Sequence, residues 1–185
     1  MKRSLPRSTA LRRSRSPAFT FVELAIAATL VACFSAIGLH SMLAFTEQRK
    51  LRSAAVELSG YLQVARSVAN AENAPCQIGH GGDGVFAPVP TGEFSGNACS
   101  GGTIPPSLNL RALSGSRRLE SEVSGFPVTF LPGGTVASNA SVFLTSPAVP
   151  PTGAGWCVDV RSPLATVRLG WRAASEASCT FTIEQ

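Results

Sequence analysis

Five cysteines, two histidines and a glutamate set in an apolar run are the residues with most chemistry to offer. Cys33 stands alone in an apolar segment, whereas Cys76, Cys99, Cys157 and Cys179 fall in the polar C-terminal part. An even set of cysteines in a domain outside the cytoplasm reads as two disulfides. Four cysteines allow three connectivities, and short loops close at least entropic cost, which favours Cys76–Cys99 and Cys157–Cys179. A metal site is the alternative. The chain has no Cys-x-x-Cys, and its only histidines are His40 and His80, so no metal is assigned. Nor is a catalytic apparatus legible: there is no Gly-x-Ser-x-Gly elbow, no phosphate-binding glycine loop and no histidine cluster. No enzyme activity and no cofactor are expected.

Two further groups have chemistry of a binding kind. Glu23 sits within Phe19–Leu39, a run of 21 residues with few polar groups. An acid that deep in an apolar helix costs ~2.5–3.5 kcal/mol on insertion scales, so it usually has a partner. The bland reading is a signal-anchor helix with its glutamate near the headgroups. Near the C-terminus, Arg168-Leu169-Gly170-Trp171-Arg172 offers two guanidinium groups and an indole. Phosphate contacts from Arg168 and Arg172 with base stacking on Trp171 would suit DNA. The plain reading is a strand and turn with exposed arginines and a partly buried Trp171.

These residues must be positioned by quite different elements. The chain has 185 residues, enough for one globular domain plus an appendage. Its formal charge of +5 is unevenly placed, because Lys2, Arg3, Arg7, Arg12, Arg13 and Arg15 all precede Phe19. Beyond residue 18 there are 10 basic and 11 acidic side chains, a net of −1, which excludes a global basic field for nucleic acid. About 20 apolar residues span a bilayer, and the positive-inside rule keeps the basic leader cytoplasmic. In an ordinary secretory signal the small residue at the cut follows the apolar region. Here Ala18 precedes it, so cleavage between Ala18 and Phe19 would retain the apolar segment as the mature N-terminus.

Past the apolar run, Leu51, Ala55, Leu58, Leu62, Ala65 and Ala69 recur at alternating spacings of four and three. That is one stripe of an amphipathic helix. No proline interrupts residues 18–74, and Pro75 forbids continuation, so the helix should end near Asn70–Asn73. A single helix from Phe19 to about Glu72 would be ~80 Å long at 1.5 Å per residue. Of 17 glycines, 15 lie beyond residue 78, and so do 10 of 13 prolines, which places the turns in the C-terminal part. Between these breakers Val128–Leu131, Val142–Thr145, Trp156–Val160, Ala165–Leu169 and Cys179–Ile183 read as short antiparallel strands. Residues 79–106 read as a long irregular loop.

The segment Ala18-Phe19-Thr20-Phe21-Val22-Glu23-Leu24 resembles the processing site of type IV pilins and type II secretion pseudopilins. That resemblance implies cleavage by an inner-membrane prepilin peptidase and N-methylation of Phe19. The new amino group of a neighbouring Phe19 could then partner Glu23 and set the register between subunits. A second resemblance is to the GspH/FimT group of minor pilins. It is carried by Leu62-Gln63-Val64-Ala65-Arg66-Ser67-Val68-Ala69, by Pro75-Cys76-Gln77-Ile78, and by Val128-Thr129-Phe130-Leu131-Pro132-Gly133-Gly134. Arg66 would tie the helix to the sheet, or else be a solvated arginine. Some FimT-like pilins bind DNA through C-terminal arginines, which is what brings Arg168 and Arg172 forward; Arg117-Arg118, followed by Glu120 and Glu122, reads as a mixed solvated patch.

The expected fold is α+β and pilin-like: a long N-terminal α-helix packed on a small antiparallel β-sheet domain. Residues 1–18 would be the leader, 19–45 the transmembrane and filament-core half of the helix, and 46–185 an extracytoplasmic head, helical to about 73. The expected role is a minor pilin that assembles through its N-terminal helix into a type IV pilus-type filament, with DNA uptake as a possible extension. The alternatives are a minor pseudopilin of type II secretion and, more distantly, a membrane-anchored enzyme. The expected partners are a prepilin peptidase, other pilins or pseudopilins, the inner membrane and DNA.

Overall fold

A computed structural model describes residues 20–82, 84–89, 97–101, 104–115, 119–147, 149, 153–176 and 178–184, with the backbone alone described for 35–41, 100–101 and 182–184. The leader, Ala18, Phe19 and the Arg117-Arg118 pair therefore lie outside the described residues. Helix α1 runs Phe21–Ala71, ending where the proline placement predicts. Asn73 takes a left-handed φ of 48° and the Ala74 amide donates to the Ala69 carbonyl at 3.2 Å. This six-to-one bond satisfies an orphan carbonyl of the last turn. Pro75 then starts an extended chain.

The chain divides between His40 and Ser41 into two compact units. In the first, described from Thr20 onward, α1 presents apolar side chains to solvent: Phe21, Val22, Leu24, Ile26, Leu30, Val31 and Phe34 are all exposed. Cys33 is a free, exposed thiol on the same stretch. In the second unit the helical stripe is buried as its spacing predicts, with Leu51, Ala55, Leu58, Leu62 and Ala65 each fully inaccessible. Fully burying each leucine contributes roughly 1.5–3 kcal/mol, which outweighs its modest helix propensity.

Two antiparallel sheets share that core. The first contains β1 (Cys76–His80), β2 (Val85–Pro88), β3 (Leu108–Asn109), β5 (Val128–Leu131) and β6 (Thr135–Val136), in the order β3-β2-β1-β5-β6. The second contains β4 (Glu120–Ser124), β7 (Ala140–Thr145), β8 (Gly155–Arg161), β9 (Thr166–Arg172) and β10 (Thr180–Glu184), in the order β10-β9-β8-β7-β4. A short helix α2, Leu110–Ser114, follows β3, and Asn109 caps it by accepting from the Ala112 amide. Ile78, Phe86, Val128 and Phe130 from the first sheet meet Val142, Leu144, Val158 and Leu169 from the second in one cluster with α1. The α+β architecture expected from sequence is thus present.

Residues 79–106 depart from the expected irregular loop. Gly82 and Gly84 have φ of 80° and 74°, and the Val85 amide donates to the Gly82 carbonyl at 2.9 Å. The glycines therefore make the turn of a β1–β2 hairpin, with Ile78 opposite Pro88 and His80 opposite Phe86. Phe86 is wholly buried. Glycine density there marks a tight reversal, not an absence of strand. A 3₁₀ turn at Ala98–Gly101 brings the chain back to β1.

Both cysteine pairs are bonded. Cys76–Cys99 has a Cα–Cα distance of 5.2 Å and Cys157–Cys179 one of 6.3 Å. Cys76 opens β1 and Cys99 lies in the 3₁₀ turn. Cys157 lies on β8 and Cys179 immediately precedes β10.

Candidate functional site

The start of α1 explains why a carboxylate can stand there. Thr20 occupies the cap position, and its hydroxyl accepts from the Glu23 amide at 3.3 Å. The Glu23 Oε2 accepts in return from the Thr20 amide and from the Thr20 hydroxyl, each at 3.0 Å. This is a reciprocal capping box, threonine first and glutamate three residues later. Its sequence signal is Thr-x-x-Glu at the head of the apolar run. The carboxylate also lies at the positive end of the helix dipole. Glu23 is exposed within this chain, and Phe19, its expected intermolecular partner, lies outside the described residues.

Among the described residues no helix is long and apolar enough to cross a membrane. The side chains of residues 35–41, which include the end of the apolar run, are not among those described. Continuing along α1, Met42, Leu43 and Phe45 are again exposed. Exposed apolar side chains thus stand on both sides of that gap.

Arg66 joins the helix to the first sheet. Its Nε donates to the Gly134 carbonyl at 3.1 Å. The acceptor is presented by the β5–β6 turn, where the Gly134 amide donates to the Leu131 carbonyl at 3.0 Å and Gly133 takes a φ of 85°. Pro132 then Gly133 is the residue order a type II turn demands. Gly134 itself has a φ of 71°, and a Cβ there would stand 3.3 Å from the Arg66 Nε. Arg66→Ala should therefore destabilise the fold by about 1–2 kcal/mol, the worth of a half-buried charged hydrogen bond. Arg66→Lys should not restore it, since an ammonium lacks the fixed Nε–H direction. Urea unfolding of the three proteins checks this; equal midpoints would show the bond to be energetically idle.

Arg168, Trp171 and Arg172 do not form one surface. All three lie on strand β9, not around a turn, and side chains alternate across a strand. Arg168 and Arg172 share the face turned away from the core. The Arg172 guanidinium lies 3.3 Å from the Phe143 ring centre, and its Nη2 is 3.8 Å from the Glu122 carboxylate. The Arg168 guanidinium lies 4.5 Å from the Phe181 ring centre. Arg172, Glu122, Phe143, Phe181 and Asp159 line a cavity of about 250 Å³ on that face. Trp171 points the other way and meets Trp156 edge to face at 5.4 Å, directly opposite it in the β8–β9 register. A base stacked on Trp171 could not also be held by both arginines from this strand.

His80 joins no cluster of potential metal ligands among the described residues. The His80 ring lies 5.0 Å from the Phe86 ring, and the side chain of His40 is outside the described residues. No group of three or more potential metal ligands occurs among the described residues.

Residues 54–163 match the family described as type II transport protein GspH. The fold resembles the crystal structure of the type IV minor pilin FimU of Pseudomonas aeruginosa strain PAO1, with a TM-score of 0.50 and 19% identity over 72% of this chain and 96% of that one. At that identity the likeness is one of fold. No curated protein matches the sequence.

Proposed function

We propose that this chain, which belongs to the family of type II transport protein GspH, works as a minor pilin or pseudopilin whose N-terminal helix inserts it first into the inner membrane and then into a filament. The observation that carries the reading is α1: a capped helix with exposed apolar side chains over Phe21–Phe34 and a buried stripe from Leu51 to Ala69. A helix with two such halves suits a protein that exchanges lipid for neighbouring helices while its head stays folded. The role is structural, and the partners are a prepilin peptidase, the inner membrane and other pilins or pseudopilins. The leader stays cytoplasmic and the head is extracytoplasmic. Because Arg168, Trp171 and Arg172 point to opposite faces of one strand, the proposal does not extend to DNA.

The test is the mature N-terminus. Mass spectrometry of the membrane form should find a chain starting at Phe19 with a methylated amine and no residues 1–18. A full-length chain in cells with an active prepilin peptidase would overturn the reading. The unmethylated Phe19 species alone would overturn only the modification.

A further inference from the structure

The basic residues nearest the apolar helix are arranged with aromatic rings into one strip. Phe45, Arg49 and Arg52 stand at i, i+4 and i+7 of α1 and so share a face. The Arg49 guanidinium lies 4.4 Å from the Phe45 ring centre. The Arg52 guanidinium lies 5.5 Å from the Trp156 ring centre, and Trp156 in turn abuts Trp171. Both arginines are exposed, as is Phe45, while the tryptophans are half-buried. Lys50, beside them, is engaged by Glu47 at 2.6 Å. Glu47 is the only acid between Glu23 and Glu57, against three bases, in a chain whose net charge beyond residue 18 is −1.

Arg49 and Arg52 stand out in the proposed orientation. Bases close to a membrane-spanning segment on the far side oppose that orientation. An anionic partner on that side would offset this opposition. The first such surface a chain meets on leaving an apolar helix is the lipid headgroup layer. Tryptophan is enriched at the same depth, and the exposed Phe45 ring adds apolar area there. Guanidinium groups held over rings keep their N–H donors free at the rim for phosphate. We infer that this strip docks the head on anionic phospholipid before assembly, with Arg49 and Arg52 on headgroup phosphates and Phe45, Trp156 and Trp171 at the interface. The inference rests on the membrane-anchored reading above.

The chain supplies its own reporters, because Trp156 and Trp171 are its only two tryptophans. Full-length protein is reconstituted into vesicles of phosphatidylcholine, with or without one-third phosphatidylglycerol, each carrying a headgroup spin label. Tryptophan emission should be quenched in the anionic vesicles and little in the neutral ones. Raising salt should relieve the quenching, because exposed charges are screened within about 10 Å at 0.1 M. Arg49→Gln with Arg52→Gln should abolish the dependence on anionic lipid, each cation being worth roughly fivefold in occupancy. Flotation and the far-ultraviolet circular dichroism of this variant should not change. If the double variant misfolds, Arg49→Gln alone, which breaks only the contact with Phe45, should lose roughly fivefold. Equal quenching in both vesicle types, or quenching unchanged by the substitutions, would overturn the inference. So would quenching that follows the protein-to-lipid ratio, since a second copy would then occupy the strip. Failure to float with neutral vesicles would instead strike at the anchored reading itself.

Discussion

Glu23→Ala should leave the protein membrane-inserted and cleaved, yet reduce its incorporation into filaments by about a hundredfold. The helix loses a charge that costs ~2.5–3.5 kcal/mol to place in apolar surroundings, so insertion itself should improve. What it also loses is the carboxylate that a neighbouring Phe19 amine would meet. Breaking a buried pair by removing one partner strands the other, at a cost of about 3–5 kcal/mol. Thr20→Ala is the informative control. It removes the hydroxyl that both accepts from the Glu23 amide and donates to its carboxylate, but keeps the charge. Losing a cap costs roughly 1 kcal/mol, so its assembly defect should be several-fold, not a hundredfold. Filament fractions probed by immunoblot, with membrane fractions as the reference, measure both. Wild-type assembly of a normally cleaved Glu23→Ala protein would remove the register role and leave Glu23 as a helix cap only.

The second large effect is expected from Cys76 and Cys99. Replacing both with alanine should lower stability by about 3 kcal/mol, the chain-entropy value for a loop of this size. The sequence separations of the two disulfides, 23 and 22 residues, are nearly equal. Loop entropy alone would therefore make their removal equally costly. Their surroundings differ. Cys76 is fully buried and Cys99 nearly so, and Asn97 builds a polar clamp around them. Its Oδ1 accepts from the Gln77 and Cys99 amides, and its Nδ2 donates to the Gln77 and Val89 carbonyls. Losing the bond there should loosen the clamp and strand buried polar groups. Cys179, by contrast, is half-buried beside the edge strand β10, so removing Cys157–Cys179 should fray the C-terminus more than it unfolds the head. Urea unfolding and hydrogen exchange would separate the outcomes: a global shift for the first pair, local loss of protection in β10 for the second. Equal global shifts would show that loop entropy dominates and the burial argument fails.

The elements legible in the sequence were those whose burial repeats locally. The stripe Leu51, Ala55, Leu58, Leu62, Ala65 and Ala69 has helical period, and every member is in the core. Pro75 stops the helix because its ring bars the preceding residues from α geometry, and α1 ends at Ala71 accordingly. Val128–Leu131 is β5, and the other four apolar runs fall largely within β7, β8, β9 and β10. Two short disulfide loops follow from closure entropy along the chain. Other features needed the fold. β2 hides in a glycine-rich stretch because its register is set by β1, and β1 pairs on its other side with the distant β5. Arg168, Trp171 and Arg172 look like one cluster in a linear string, but β9 sends Trp171 to Trp156 and the arginines to Phe143 and Phe181. Arg52 and Trp156 are more than a hundred residues apart, and no local period could announce their contact. A sequence records which face of a helix or strand is apolar; which faces meet is decided when non-local strands pair, because only then do side chains from remote segments compete for the same space.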